Sequence, residues 1–227
     1  RKMSHKMAAA FLAKAGETDG MVLAEHFERG GDPAAALVWY VRAAEQALEG
    51  NDLARAVERC ERALLCGPDD ETRGGIEHLM AEATFYRGDA PAAEALATKA
   101  AEHLPAGTAA WFQAVATGLR AAGQAGHNDL VLAWSVRAAA VHVDGDARAA
   151  QIVCLARGVS QLLWAQRAGD CAPLIARMLE LAGETGKLPP LSAGWVHRVL
   201  ADKAFLVDGR MDAMAAELGR ASDAFER

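Results

Sequence analysis

The stretch GGDPAAALVWYVRAAEQAL, residues 30–48, decides the fold. Its glycine pair stops whatever precedes it. Asp32 is a strong helix N-cap, and Pro33 suits the first turn of the helix that follows. Small or apolar residues stand four, eight and eleven positions after Asp32, at Ala36, Tyr40 and Ala43. Those offsets mark one face of an α-helix. The figure returns at Asp52 with Ala56, Cys60 and Ala63, closed by Pro68. It returns at Asp89 with Ala93, Ala97 and Ala100, closed by Pro105. Fainter copies start at Asp129 (Ala133, Arg137, Ala140) and at Asp170 (Leu174, Met178, Leu181). Recurring capped helices imply stacked hairpins, each burying a face that it cannot bury alone.

The interval from Asp32 to Asp52 is 20 residues, too short for two helices, so the helix after Pro33 must serve both of its neighbours. The interval from Asp52 to Asp89 is 37 residues, close to the roughly 34 of a helix-pair repeat. Further along, a helix beginning at Trp111 is expected to fade at Ala121-Ala122. It is followed by an unusually long turn, Gly123 to Asn128. Breaks are expected at Asp144-Gly145-Asp146 and at Gly169-Asp170, and a linker around Pro189-Pro190, which cannot be helix interior. The reading is an all-α chain of about twelve helices. These form a right-handed superhelical solenoid of stacked antiparallel pairs over residues 1–184, a linker at 185–191 and a terminal hairpin at 192–227 that continues the array.

Composition supports this. Hydrophobic residues make up 52% of the 227, charged residues 24% and aromatic residues only 6%. An alanine-rich chain poor in β-branched residues favours helices over sheet. Net charge is −6 with both signs interleaved, and without a basic run nucleic acid is not an expected partner. No stretch matches a membrane span or a secretion signal. Cys60, Cys66, Cys154 and Cys171 form no metal-ligand spacing; Cys60, which stands where another copy carries Tyr40, is expected to be a core thiol, and the expectation is a reducing cytoplasm, with neither metal nor cofactor. The chain opens at Arg1-Lys2-Met3 and ends inside a helical pattern, so it reads as a segment of a longer protein.

Residues 23–44 and 51–68 resemble tetratricopeptide-type repeats. The matching residues are Leu23-Ala24, Phe27, Gly31-Asp32, Ala36, Tyr40 and Ala43, then Ala56, Ala63 and Pro68. Ala81, Gly88, Ala93, Ala100, Pro105 and Trp111 continue the match, which is good over residues 20–140 and weak from 147 onward. The phrasing of 22–52 is also similar to helical arrays that follow ATPase modules in large bacterial serine/threonine kinases and in maltose-activator-type regulators. The resemblance implies a concave face holding Met21, Glu25 and Glu28, then His78, Glu82 and Phe85, that binds a protein or peptide, including other domains of the same chain. Phe85 could equally pack against a neighbouring helix.

Trp39, Trp134, Trp164 and Trp195 share no spacing, and burial between hairpins accounts for them. His26, His78, His103 and His142 are scattered, and paired helical acids such as Glu25 and Glu28 are commonplace. No enzyme chemistry is expected. Two functions remain open: a non-catalytic segment for protein–protein or intramolecular interaction in a bacterial regulatory protein, or a small-ligand sensor whose pocket is lined by the 123–128 turn and the Trp-bearing helices. Terminal helices of such an array can also pair between copies, giving a homodimer.

Overall fold

Five of the connections among the described residues are built alike. At residues 30–32, the N–H groups of Gly30, Gly31 and Asp32 donate to the carbonyls of His26, Glu28 and Phe27. The same three bonds recur at 50–52, 87–89, 125–127 and 165–167. This is the Schellman ending of a helix, and it needs a left-handed residue in the middle. Gly31, Asn51, Gly88, Gly126 and Gln166 supply it, with φ from 57° to 89°. The next residue caps the following helix, so three residues suffice to turn the chain.

The computed structural model describes residues 1–143, 145–183 and 187–227. Among them are twelve helices and no strand. They are α1 (Lys2–Lys14), α2 (Gly20–Arg29), α3 (Pro33–Glu49), α4 (Leu53–Leu65), α5 (Asp70–Tyr86) and α6 (Ala90–His103). Then follow α7 (Ala109–Gln124), α8 (Asn128–Ala140), α9 (Asp146–Trp164), α10 (Ala168–Ala182), α11 (Pro190–Leu206) and α12 (Met211–Phe225). The helices fall into two compact units, Arg1–Leu104 and Pro105–Arg227.

In the first unit each helix packs on the next, and α3 also touches α5. Asp19, Asp32, Asp52, Asp69 and Asp89 cap α2 to α6, each side chain accepting backbone N–H bonds from the first turn. The three strong copies of the repeat place all nine of their small or apolar residues in the core, from Ala36 to Ala100, none more than 1% exposed. Alanine at these points lets helix axes approach closely. Gly20 carries this furthest, because a Cβ there would lie 2.8 Å from the backbone nitrogen of Ala43. As expected, α3 serves both neighbours.

In the second unit α7, α9 and α11 pack side by side, with α8 and α10 against α9 and α12 against α11. Here the weaker copies of the repeat need correction. The cap of α8 is His127, two residues before Asp129. Counting from His127, the offsets four, eight and eleven fall on Val131, Ser135 and Ala138, all buried; Ala133, Arg137 and Ala140 are exposed. The cap of α10 is Arg167 rather than Asp170, although Leu174, Met178 and Leu181 are buried. Asp129 and Asp170 instead both pair with Arg167.

The long turn expected at 123–128 is not there. α7 runs through Gln124, and the turn is the common three-residue one. Gly123 lies within the helix because the Gln161 side chain crosses it, and a Cβ would come within 2.2 Å of Gln161 Oε1. The expected break at Asp144 and residues 184–186 around the expected linker lie outside the described residues. Pro189 caps α11 and Pro190 opens it, the position where proline costs nothing. No helix among the described residues is long and apolar enough to cross a membrane.

Candidate functional site

The six residues expected on a binding face form two groups, on α2 and on α5, which are not a packed pair. On α2, Met21 packs against the apolar cluster of Ala24, Ala36 and Tyr40. Glu25 pairs with Arg29 one turn on, at 2.9 Å. Glu28 accepts a hydrogen bond from the Tyr40 hydroxyl at 2.7 Å and another from Arg62. Arg62 also donates to the Tyr40 oxygen at 2.8 Å and lies over its ring.

This cluster ties α2, α3 and α4 together. The Tyr40 hydroxyl, with Arg62, holds the Glu28 carboxyl below its ordinary range despite some burial. Burial and the Glu28 carboxylate push the Tyr40 phenol well up. Glu25 and Glu28 are therefore engaged in separate contacts, not arranged as an acid and its base. On α5, His78, Glu82 and Phe85 are half-buried. The Phe85 ring meets the exposed Tyr86 edge-on at 5.9 Å.

The second unit contains a site of more definite shape. On α9, Arg157, Ser160, Gln161 and Trp164 are spaced to share one face. Trp195 and Arg198 on α11 and Arg120 on α7 join them around a cavity of about 180 Å³. The Arg157 guanidinium lies 5.1 Å from the centre of the Trp195 ring. Trp195 in turn meets Phe225 of α12 at 6.3 Å, ring edge to face, and Phe225 lies where Gly194 leaves room for it. Asp202, only 5% exposed, accepts from Ser160 Oγ at 2.8 Å and from Arg198 Nε at 3.1 Å. Three arginines thus line the cavity, with the Asp202 carboxylate beside it.

Trp164 corrects the expectation that the tryptophans are simply buried. It is 55% exposed and faces Phe205, itself 41% exposed, at 6.5 Å between ring centres. Trp39 and Trp134 are half-buried, each with an arginine against its ring. The pocket had a partial signal in sequence, the one-face spacing within α9 and again within α11. Nothing in sequence shows that those two faces and Arg120 converge.

Burial raises the thiols of Cys60 and Cys154 to about 12 and that of Cys171 to about 11. None of these is a thiolate nucleophile near neutral pH. Among the described residues no group of His, Cys, Asp and Glu could hold a metal ion. No protein-family model matches the chain, and no curated protein is significantly similar to it.

Proposed function

We propose that this chain is a helical-repeat binding module that takes up a protein segment, without chemistry of its own, within a larger bacterial signalling or regulatory protein. The observation that supports this reading is the pocket between three side-by-side helices. Arginine and tryptophan are the residues most enriched where binding energy concentrates. Stacked helix pairs curving as a right-handed superhelix would present such a pocket on an inner face. Four free cysteines, three of them buried, fit a reducing compartment such as the cytoplasm.

The test is selection of peptides from a random display library on the immobilised chain. Enrichment of peptides that bind with measurable affinity supports the module. A second reading, a sensor of small ligands, draws on the small volume of the same pocket and its lining by Trp164, Trp195 and Gln161. It predicts no enriched peptide, and a rise in melting temperature with a small anionic metabolite instead.

A further inference from the structure

We propose that copies of this chain associate head to tail, the outward face of α1 in one copy seating on the outward face of α12 in the next. This contact does not depend on the peptide pocket.

Both helices are apolar on two sides. The inward side of α1, with Ala9 buried and Leu12 and Ala13 half-buried, packs on α2. Its outward side carries Met3, Met7 and Phe11 at a spacing of four, none less than 66% exposed. A helix that is apolar all round is one that is covered all round. On α12, Ala221 and Ala224 are buried toward α11, while Met211, Leu218 and Phe225 recur at a spacing of seven and are exposed. The exposed Ala215 and Gly219 beside Leu218 let another helix come close. A Cβ built on Gly219 meets nothing within 4 Å.

Charge selects the partner. Residues 1–16 hold Arg1, Lys2, Lys6 and Lys14 and no acid. Lys6 pairs with Asp32; Arg1, Lys2 and Lys14 are exposed. The exposed side of α12 carries Asp212, Asp223 and Glu226. The basic side chains near them are drawn elsewhere, Arg220 to Glu217 and Arg227 to the backbone carbonyl of Asp223. Arg210 meets Asp212 at 3.6 Å in an exposed pair, a contact of little worth. Two α1 helices facing each other would set like positive charges together, and two α12 helices like negative ones. α1 against α12 joins opposite signs beside an apolar seam, so each helix accepts the other and rejects its own kind. Two different patches of one molecule that fit each other make a head-to-tail contact, which grows as an open chain or closes into a ring. One helix against one helix buries less than the roughly 1,600 Å² of a standard interface, so association belongs to high protein concentration.

Sedimentation equilibrium of the intact chain is the test. The average mass should rise with concentration and fall when salt goes from about 0.1 M to about 1 M. Phe11→Glu and Leu218→Lys alter exposed side chains and leave the fold intact, as circular dichroism will verify. Each variant alone should be monomeric, because every head-to-tail contact uses both helices. Mixed in equal amounts, they should form a one-to-one dimer and nothing larger, since one still offers α12 and the other α1. Lys2→Glu combined with Lys14→Glu should weaken association about tenfold. A symmetric contact gives a different pattern: one variant keeps the association of the parent chain, the other loses it, and mixing restores nothing. That pattern, a mixture that stays monomeric, or a parent chain that is monomeric up to about 1 mM overturns the proposal.

Discussion

Replacing Gly20 by alanine tests the close approach of α2 to α3. The added methyl would lie 2.8 Å from the nitrogen of Ala43, 3.0 Å from the Trp39 carbonyl oxygen and 3.1 Å from Ala43 Cα. All three are backbone atoms, so no side chain can rotate away. The start of α2 must move until the shortest contact reaches 3.4 Å, where ordinary packing begins. A lift of that size forfeits roughly a quarter to a half of the dispersion attraction between the atoms it separates. It also stretches the bond from the Gly20 N–H to Gln46 Oε1, now 3.1 Å. Overpacking costs about 1–3 kcal/mol, and a backbone contact belongs at the upper end, about 2–3 kcal/mol.

Gly75 is the control. It is an exposed interior residue of α5 with nothing within 4 Å of a built Cβ. Alanine there should stabilise by about 0.5–1 kcal/mol through helix propensity alone. In thermal melts followed by circular dichroism, Gly20→Ala should lower the midpoint by about 4–12 °C and Gly75→Ala raise it by about 1–4 °C. If Gly20→Ala melts with the parent chain, backbone contact between α2 and α3 does not limit this interface.

Other expectations follow from the same structure. Ala93→Asp would leave a charge at a position with no exposure; it should unfold the α5–α6 hairpin, seen as lost helical signal, and Ala36→Asp should do the same around α3. Tyr40→Phe removes the hydroxyl shared by Glu28 and Arg62 and should cost about 1–2 kcal/mol in urea unfolding; a loss below about 0.3 kcal/mol would mean that water replaces the bond. The Glu28 carboxyl is held below its ordinary 4.5, so its contribution is fully present above that value and is lost as pH falls through the lower folded value. The stability gap between the parent and Glu28→Gln should accordingly shrink on acidification, and a gap that widens contradicts the cluster. Half-buried Cys66 should react first with a thiol reagent, ahead of buried Cys60, Cys154 and Cys171; mass spectrometry of partly labelled chain would show the order.

Where an aspartate both follows a left-handed glycine or asparagine and caps the helix, as at Asp32, Asp52 and Asp89, the sequence could be read to the residue. In the second unit the same turn is made with different letters. Gln166 takes the left-handed conformation without being glycine, and His127 and Arg167 stand at the caps. A repeat keyed to Asp falls on Asp129 and Asp170, which serve Arg167 instead. Gly123 looked like a helix stop, because a glycine needed for a crossing side chain and one needed for a turn are identical in sequence. The Arg–Trp pocket was hidden for another reason. Its lining comes from residues 120, 157–164 and 195–198, and periodicity reports the face of one helix but not which faces meet.

The two units differ in how their contacts are wired. In the first, interfaces run in series from α1 to α6 with a single cross-link from α3 to α5. Detaching α1 breaks one interface and leaves the rest standing, so amide protons there can exchange by fraying inward one helix at a time. In the second, α9 is shared by α7, α8, α10 and α11, and it is buried around most of its circumference. It has no cheap partial opening, since freeing it breaks four interfaces together. The helix that carries Arg157, Ser160, Gln161 and Trp164 is therefore the one whose position is fixed most firmly, a rigid mount for whatever those side chains hold.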